Sequence, residues 1–142
     1  MQSLIYFVYT NMELHLKIIG ILLIAISFLH FAFPKYFNWK QDLSPLTIIN
    51  RQMMYVHTFF IALVVFLMGI LCLTSATDLI NTSLGKRISL GLGIFWLARL
   101  CIQFFGYSAG LWKSKAFETT VHILFSILWT YCSTVFILVY LG

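Results

Sequence analysis

Read for polarity alone, the chain is four long apolar runs separated by short polar stretches. No charge occurs between Lys17 and Lys35, and none between Arg51 and Asp78. A third run, Ile88–Tyr107, contains one charge, Arg99, and no charge follows Glu118. About 20 mostly apolar residues suffice to cross a bilayer core as a helix. The pattern predicts spanning helices at 14–33, 53–75, 88–107 and 119–141. Helix satisfies its backbone polar groups internally, which hydrocarbon demands. Runs this continuous do not fit the short alternating strands of a membrane barrel. The expected fold is all-α and integral to the membrane: a four-helix antiparallel transmembrane bundle, one domain over 1–142.

The connections refine this picture. The first, Pro34–Gln52, mixes Tyr36, Phe37, Trp39, Leu43, Leu46, Ile48 and Ile49 with Lys35, Lys40 and Asp42. That mixture suits a segment lying at the headgroups. Pro34 is expected to end the first helix, because its ring cannot continue the hydrogen-bond ladder. Ser44-Pro45 marks a turn or a new helix start. The second connection, Ser75–Lys86, is plainly polar, and the third carries Trp112, Lys113 and Lys115 as interfacial anchors. The apolar segment before Met12 lacks the basic start of a signal peptide. It is either an upstream extension, with Met12 the true start, or a short interfacial helix.

Charge sets an orientation. Call side A the side with the first and third connections. It carries Lys35, Lys40, Arg51, Lys113 and Lys115, against Lys17, Lys86 and Arg87 on side B. The excess of basic residues places side A in the cytoplasm and both termini outside. The natural setting for such an apolar helical chain is a bacterial inner membrane.

Composition narrows the chemistry. Hydrophobic residues make up 61% of the chain and charged residues 9%, against about 45–50% and about 25% in soluble domains. A soluble domain and a disordered chain are both excluded. The net charge of +5 is dispersed among the connections, which fits lipid headgroups and not nucleic acid. Cys72, Cys101 and Cys132 form no CxxC and lie in apolar runs, so they read as small packing residues. The chain has no glycine-rich phosphate loop, so no nucleotide is expected. No nucleophile elbow is read for serine-hydrolase chemistry, and no lipidation box is present.

The polar residues inside the spans are the informative ones. His30 ends the first span, and His57 lies about 9 Å past Arg51 in the second. Arg99 and Gln103 lie late in the third, and Glu118 and His122 open the fourth. With alternating spans, all six fall in the side A half of the bilayer. Arg99–Gln103 and Glu118–His122 are each four apart and share a face. Arg99 lies about 18 Å beyond Arg87, too deep to snorkel to side B. An Arg99–Glu118 interaction is expected, direct or through a ligand. Trp96, three residues before Arg99, is a candidate cation–π partner. Gly91 and Gly93 are read as points of close helix approach.

Three chemistries follow from this set. His30, His57 and His122, with Glu118 as fourth ligand or general base, have the donor types for zinc or iron. Glu118 and Arg99 would then be the catalytic groups, acting on a lipid-soluble substrate. Alternatively His30 pairs with His57 or His122 as axial ligands of haem b, with Arg99 on a propionate. The third reading is a hydrogen-bonded or proton-linked network without a cofactor. That would be a non-enzymatic accessory subunit or small transporter, working with a membrane-protein partner or as a homo-oligomer.

Overall fold

The computed structural model describes residues 11–111, 113 and 115–142. The expectations for the segment before Asn11 and for Trp112 fall outside these residues. Every regular element among the described residues is helical. Helix α1 (Met12–Leu29) runs through a 3₁₀ turn, His30–Ala32, into α2 (Phe33–Tyr36). Then come α3 (Trp39–Asp42), α4 (Ile48–Thr74), α5 (Ala76–Asn81), α6 (Ser83–Phe105), a 3₁₀ turn at Ala109–Leu111, and α7 (Ala116–Leu141). Four stretches are long and apolar enough to cross a membrane: Met12–Tyr36, Ile48–Thr74, Ser83–Phe105 and Ala116–Leu141. They overlap the four predicted spans.

The boundaries differ for local reasons. Regular α-helix stops at Leu29, before Pro34, and Pro34 sits in the first turn of α2. A proline is tolerated there, because N–H groups in the first turn have no partner anyway. The first connection is largely helical. Asn38 turns the chain between α2 and α3 with φ 49°, a left-handed conformation that asparagine tolerates better than most residues. Its side-chain amide donates to Gln41 Oε1 at 2.6 Å. Helix α4 starts at Ile48, so Asn50 and Arg51 belong to its first turn. The polar second connection also coils, as α5. Thr82 then caps α6, its hydroxyl accepting from the Gly85 N–H at 2.9 Å.

The described residues form two compact units, Leu16–Ala76 and Thr77–Gly142, the latter including residues 11–15. In the first unit, Gly20 meets Gly69, Gly69 meets Ile24, and Phe28 meets Phe66 edge-on at 6.2 Å. These pairs run in opposite order along α1 and α4. A Cβ on Gly20 would lie 2.9 Å from Gly69 O, and one on Gly69 would lie 2.8 Å from Gly20 O. The two backbones therefore touch, and only glycine fits at either point. In the other unit, Gly93 abuts Ile137, Trp96 stacks on Trp129, and Gln103 bonds to His122. Again the order is opposed along α6 and α7. Gly93 is the close approach expected from sequence, whereas nothing lies within 4 Å of a Cβ on Gly91.

Buried positions repeat at alternating intervals of four and three. In α1 they are Met12, Leu16, Ile19, Leu23 and Ile26. In α4 they are Ala62, Val65, Gly69 and Cys72. In α6 they include Gly85, Ser89, Leu92, Trp96 and Gln103, and in α7 Trp129, Cys132, Phe136 and Val139. This is the spacing of a supercoiled helix seam. Hydropathy hides it, because the opposite faces are also apolar: Phe60 is 54% exposed and Ile127 65%. Inside lipid, residue size marks a seam more clearly than polarity does. The buried face of α4, made of alanine, valine, glycine and cysteine, shows this.

Candidate functional site: a polar chain between α6 and α7

The last turns of α6 face the first turns of α7, and the polar residues of both helices meet there. Arg99 Nη1 donates to Gln103 Oε1 at 3.0 Å, one helical turn along α6. The Gln103 amide, with its oxygen so used, turns its Nε2 to His122 Nδ1 at 2.7 Å. An amide nitrogen only donates, so His122 Nδ1 accepts and the neutral ring carries its proton on Nε2. Gln103 is 7% exposed and both ends of its amide are satisfied. A buried amide outside such an arrangement costs the desolvation of each unmade bond.

Aromatic rings complete the surroundings. The Arg99 guanidinium carbon lies 5.3 Å from the Trp129 ring and 5.8 Å from Tyr107. Trp129 is stacked between Trp96, at 4.7 Å and 10°, and Phe125, at 5.4 Å and 22°. Phe104 meets His122 edge-on at 5.8 Å. The sequence pairs Arg99 with Trp96, but the structure gives it the neighbouring ring of the stack. The indole N–H groups of Trp96 and Trp129, and the Ser89 hydroxyl, are buried without a partner among the described residues. Hydroxyls elsewhere on α7 fold back on their own helix: Ser126 onto His122 O and Thr130 onto Ser126 O.

The remaining expected site residues are placed as follows. Among the described residues, no ion pair joins Arg99 to Glu118. Arg99 takes Gln103 instead, because the two share a helix face and need no bridging between helices. Glu118 lies half-buried in the first turn of α7, where the partial positive charge of a helix N-terminus favours a carboxylate. His57 is exposed on α4. His30 is half-buried at the end of α1, and its Nδ1–H donates to Ile26 O at 2.9 Å. Among the described residues, no three His, Cys, Asp or Glu side chains come together in a group able to hold a metal ion. Of the six residues expected in one pocket, the described contacts join three: Arg99, Gln103 and His122.

Two features escape the sequence reading. His15 Nδ1 and the Tyr131 hydroxyl lie 2.8 Å apart. The available signal was spacing: Tyr131 is about 20 Å along its helix from Glu118, in the second half of α7. The second is the GxSxG spacing at Gly106–Gly110. Its surroundings are not those of a nucleophile elbow, which needs a strand entering the turn. Here α6 enters it, and Ser108 is exposed. No hydrogen bond joins the Ser108 hydroxyl to a histidine among the described residues. No protein-family description, curated protein or solved structure matches this chain.

Proposed function

We propose that this chain is a non-enzymatic integral membrane protein, an accessory subunit or small transporter. Its polar residues form a structural, proton-linked network. One observation supports this most directly: the hydrogen-bonded run Arg99–Gln103–His122. It uses three of the expected site residues on one another, with Arg99 held against aromatic faces. His122 is the titratable member, and its Nδ1 is the atom the network controls. The proposal carries the antiparallel four-span arrangement, with both termini outside an inner membrane. It also carries a second copy or a partner membrane protein against the apolar outer faces.

The test is elemental analysis of detergent-purified, untagged protein prepared without chelator, together with a pyridine haemochrome assay. The expected result is iron and zinc far below one per chain and no haemochrome. Near-stoichiometric metal that disappears in His30→Gln or His122→Gln would overturn the proposal.

A redox reading, with haem b, zinc or iron acting on a lipid-soluble substrate, draws on one observation. His30 Nδ1–H is fixed on a backbone carbonyl, which is how proteins commonly orient a ligating imidazole. The same assay decides between the two.

A further inference from the structure

We propose that the groove between the end of α1 and the start of α4 binds an uncharged, lipid-soluble ring compound. Its head carries a hydroxyl or carbonyl and its tail is aliphatic, the chemical class of isoprenoid quinones and quinols. The groove is two adjoining cavities of about 210 Å³ and about 130 Å³. They share Phe31, Phe59 and Ala62. Pockets for small organic molecules begin near about 300 Å³, a size the two reach only in series. An elongated ligand therefore fits better than a compact one.

The two cavities differ in polarity, and that difference orients the ligand. The larger one is lined by Phe28, Leu63 and Phe66, with Ser27 the single polar residue among the described ones. The Ser27 hydroxyl is used on Ile24 O at 2.7 Å, so this end offers a tail nothing but apolar surface. The smaller cavity is lined by His30, Trp39, Tyr55 and Thr58. Among the described residues, no Lys, Arg, Asp or Glu lines either cavity. A phosphate or carboxylate head would find no counter-charge there, so the head must be neutral.

The polar end also states what it would recognise. His30 spends its Nδ1–H on Ile26 O, leaving Nε2 as the acceptor of the neutral ring. An acceptor suits a ligand hydroxyl, and the hydroxyls of Tyr55 and Thr58 suit a carbonyl. Thr74, Thr120 and Thr130 turn their hydroxyls onto the carbonyl four residues back. Thr58 does not, and neither its hydroxyl nor that of Tyr55 has a hydrogen-bond partner among the described residues. Flat walls favour a ring: Trp39 and Tyr55 meet edge-on at 5.3 Å and 81°. Ala62, 3% exposed, is the small residue in both linings and keeps the two cavities open to each other. Phe28, Phe31 and Phe59 are exposed along the groove, which leaves it open sideways to a molecule arriving through lipid.

The experiment titrates detergent-solubilised protein with decyl-benzoquinone and its quinol, reading the thermal midpoint. Controls are decylbenzene, which has the tail and ring without oxygens, and dioleoyl phosphatidylcholine. Saturable stabilisation is expected for quinone or quinol, at least tenfold tighter than for decylbenzene. Ala62→Leu, which fills the groove, should abolish it. Thr58→Val and His30→Phe should each weaken it about three- to tenfold, the effect of one lost hydrogen bond. If Ala62→Leu does not fold, the half-buried hydroxyl change Thr58→Val decides on its own. Three results would overturn the proposal. One is equal binding of decylbenzene, which marks a purely apolar slot. Another is a quinone effect unchanged in the variants, which marks partition into the micelle. The third is a saturable effect from the phospholipid alone. None of these outcomes touches the Arg99 network, which belongs to α6 and α7, so the two readings fail separately.

Discussion

The α1–α4 pair and the α6–α7 pair face the same physical problem and answer it with different chemistry. Both pairs have the length and composition to cross a membrane, where lipid tails are as apolar as leucine and burying apolar side chains against each other gains little. Helices must instead gain from close packing or from hydrogen bonds. The α1–α4 pair takes the first course: Gly20 and Gly69 bring the two backbones into contact, and Ile24 and Phe66 fill in around them. The α6–α7 pair takes the second as well: Gly93 allows approach at one end, and Gln103 links the helices at the other. The first contact depends on shape and is insensitive to charge. The second depends on a donor and an acceptor meeting in a low-dielectric setting, where each bond is strong and each unmade one costly.

Substitutions can break this contrast, and their effects should fall in a set order. The largest belongs to Gly69→Leu. Its side chain would meet Ile24 Cγ1 at 2.7 Å and the Gly20 carbonyl at 2.8 Å, and backbone cannot step aside. A loss of about 3 kcal/mol is expected in SDS titration of the folded protein. A wild-type midpoint in that variant would show that α1 and α4 do not pack through their glycines. Gln103→Leu comes next. It strips Arg99 and His122 of a shared partner, at about 2–3 kcal/mol for a bond to a charged group. His122→Phe in that background should cost less than it does alone, because the interaction is already gone. Full additivity in this double-mutant cycle would mean the two residues do not interact. The glycines of α6 then give a pair of opposite sign. Gly93→Ala should destabilise against Ile137 Cγ1, 2.9 Å away, whereas Gly91→Ala meets nothing. It should stabilise by about 0.5–1 kcal/mol through reduced freedom of the unfolded chain. The smallest effect is expected for His57→Gln on the exposed face of α4, within about 0.5 kcal/mol. A larger loss would return His57 to the list of residues with work inside the protein.

The sequence carried the elements better than their faces. Four apolar runs locate α1, α4, α6 and α7, since span length follows from bilayer thickness. Their starts were less legible: Asn50 and Arg51 look like loop, yet they form the first turn of α4. A helix entering from an interfacial segment need not begin where hydropathy does. The alternating intervals of buried residues were hidden for the reason that makes the protein apolar all round. Of the site, the pairs four apart were read from spacing, and Arg99–Gln103 is one of them. What spacing cannot give is rotation about the helix axis between distant segments. For that reason the exposure of His57 on α4 was not legible from its position in the span. Arg99 found its partner on its own helix when a carboxylate across the gap was expected. The unpartnered hydroxyls of Tyr55 and Thr58 could not be foreseen at all, because their meaning depends on the shape of the groove beside them.

The stacked indoles of Trp96 and Trp129 carry an optical consequence. Two identical chromophores held 4.7 Å apart and 10° from parallel couple their ultraviolet transitions and share excitation. The chain thus contains its own spectroscopic ruler for the α6–α7 contact. A paired band of opposite signs in near-ultraviolet circular dichroism should accompany the folded helix pair. It should collapse to the behaviour of uncoupled tryptophans in Trp129→Phe, and fade during unfolding at the moment these two helices part.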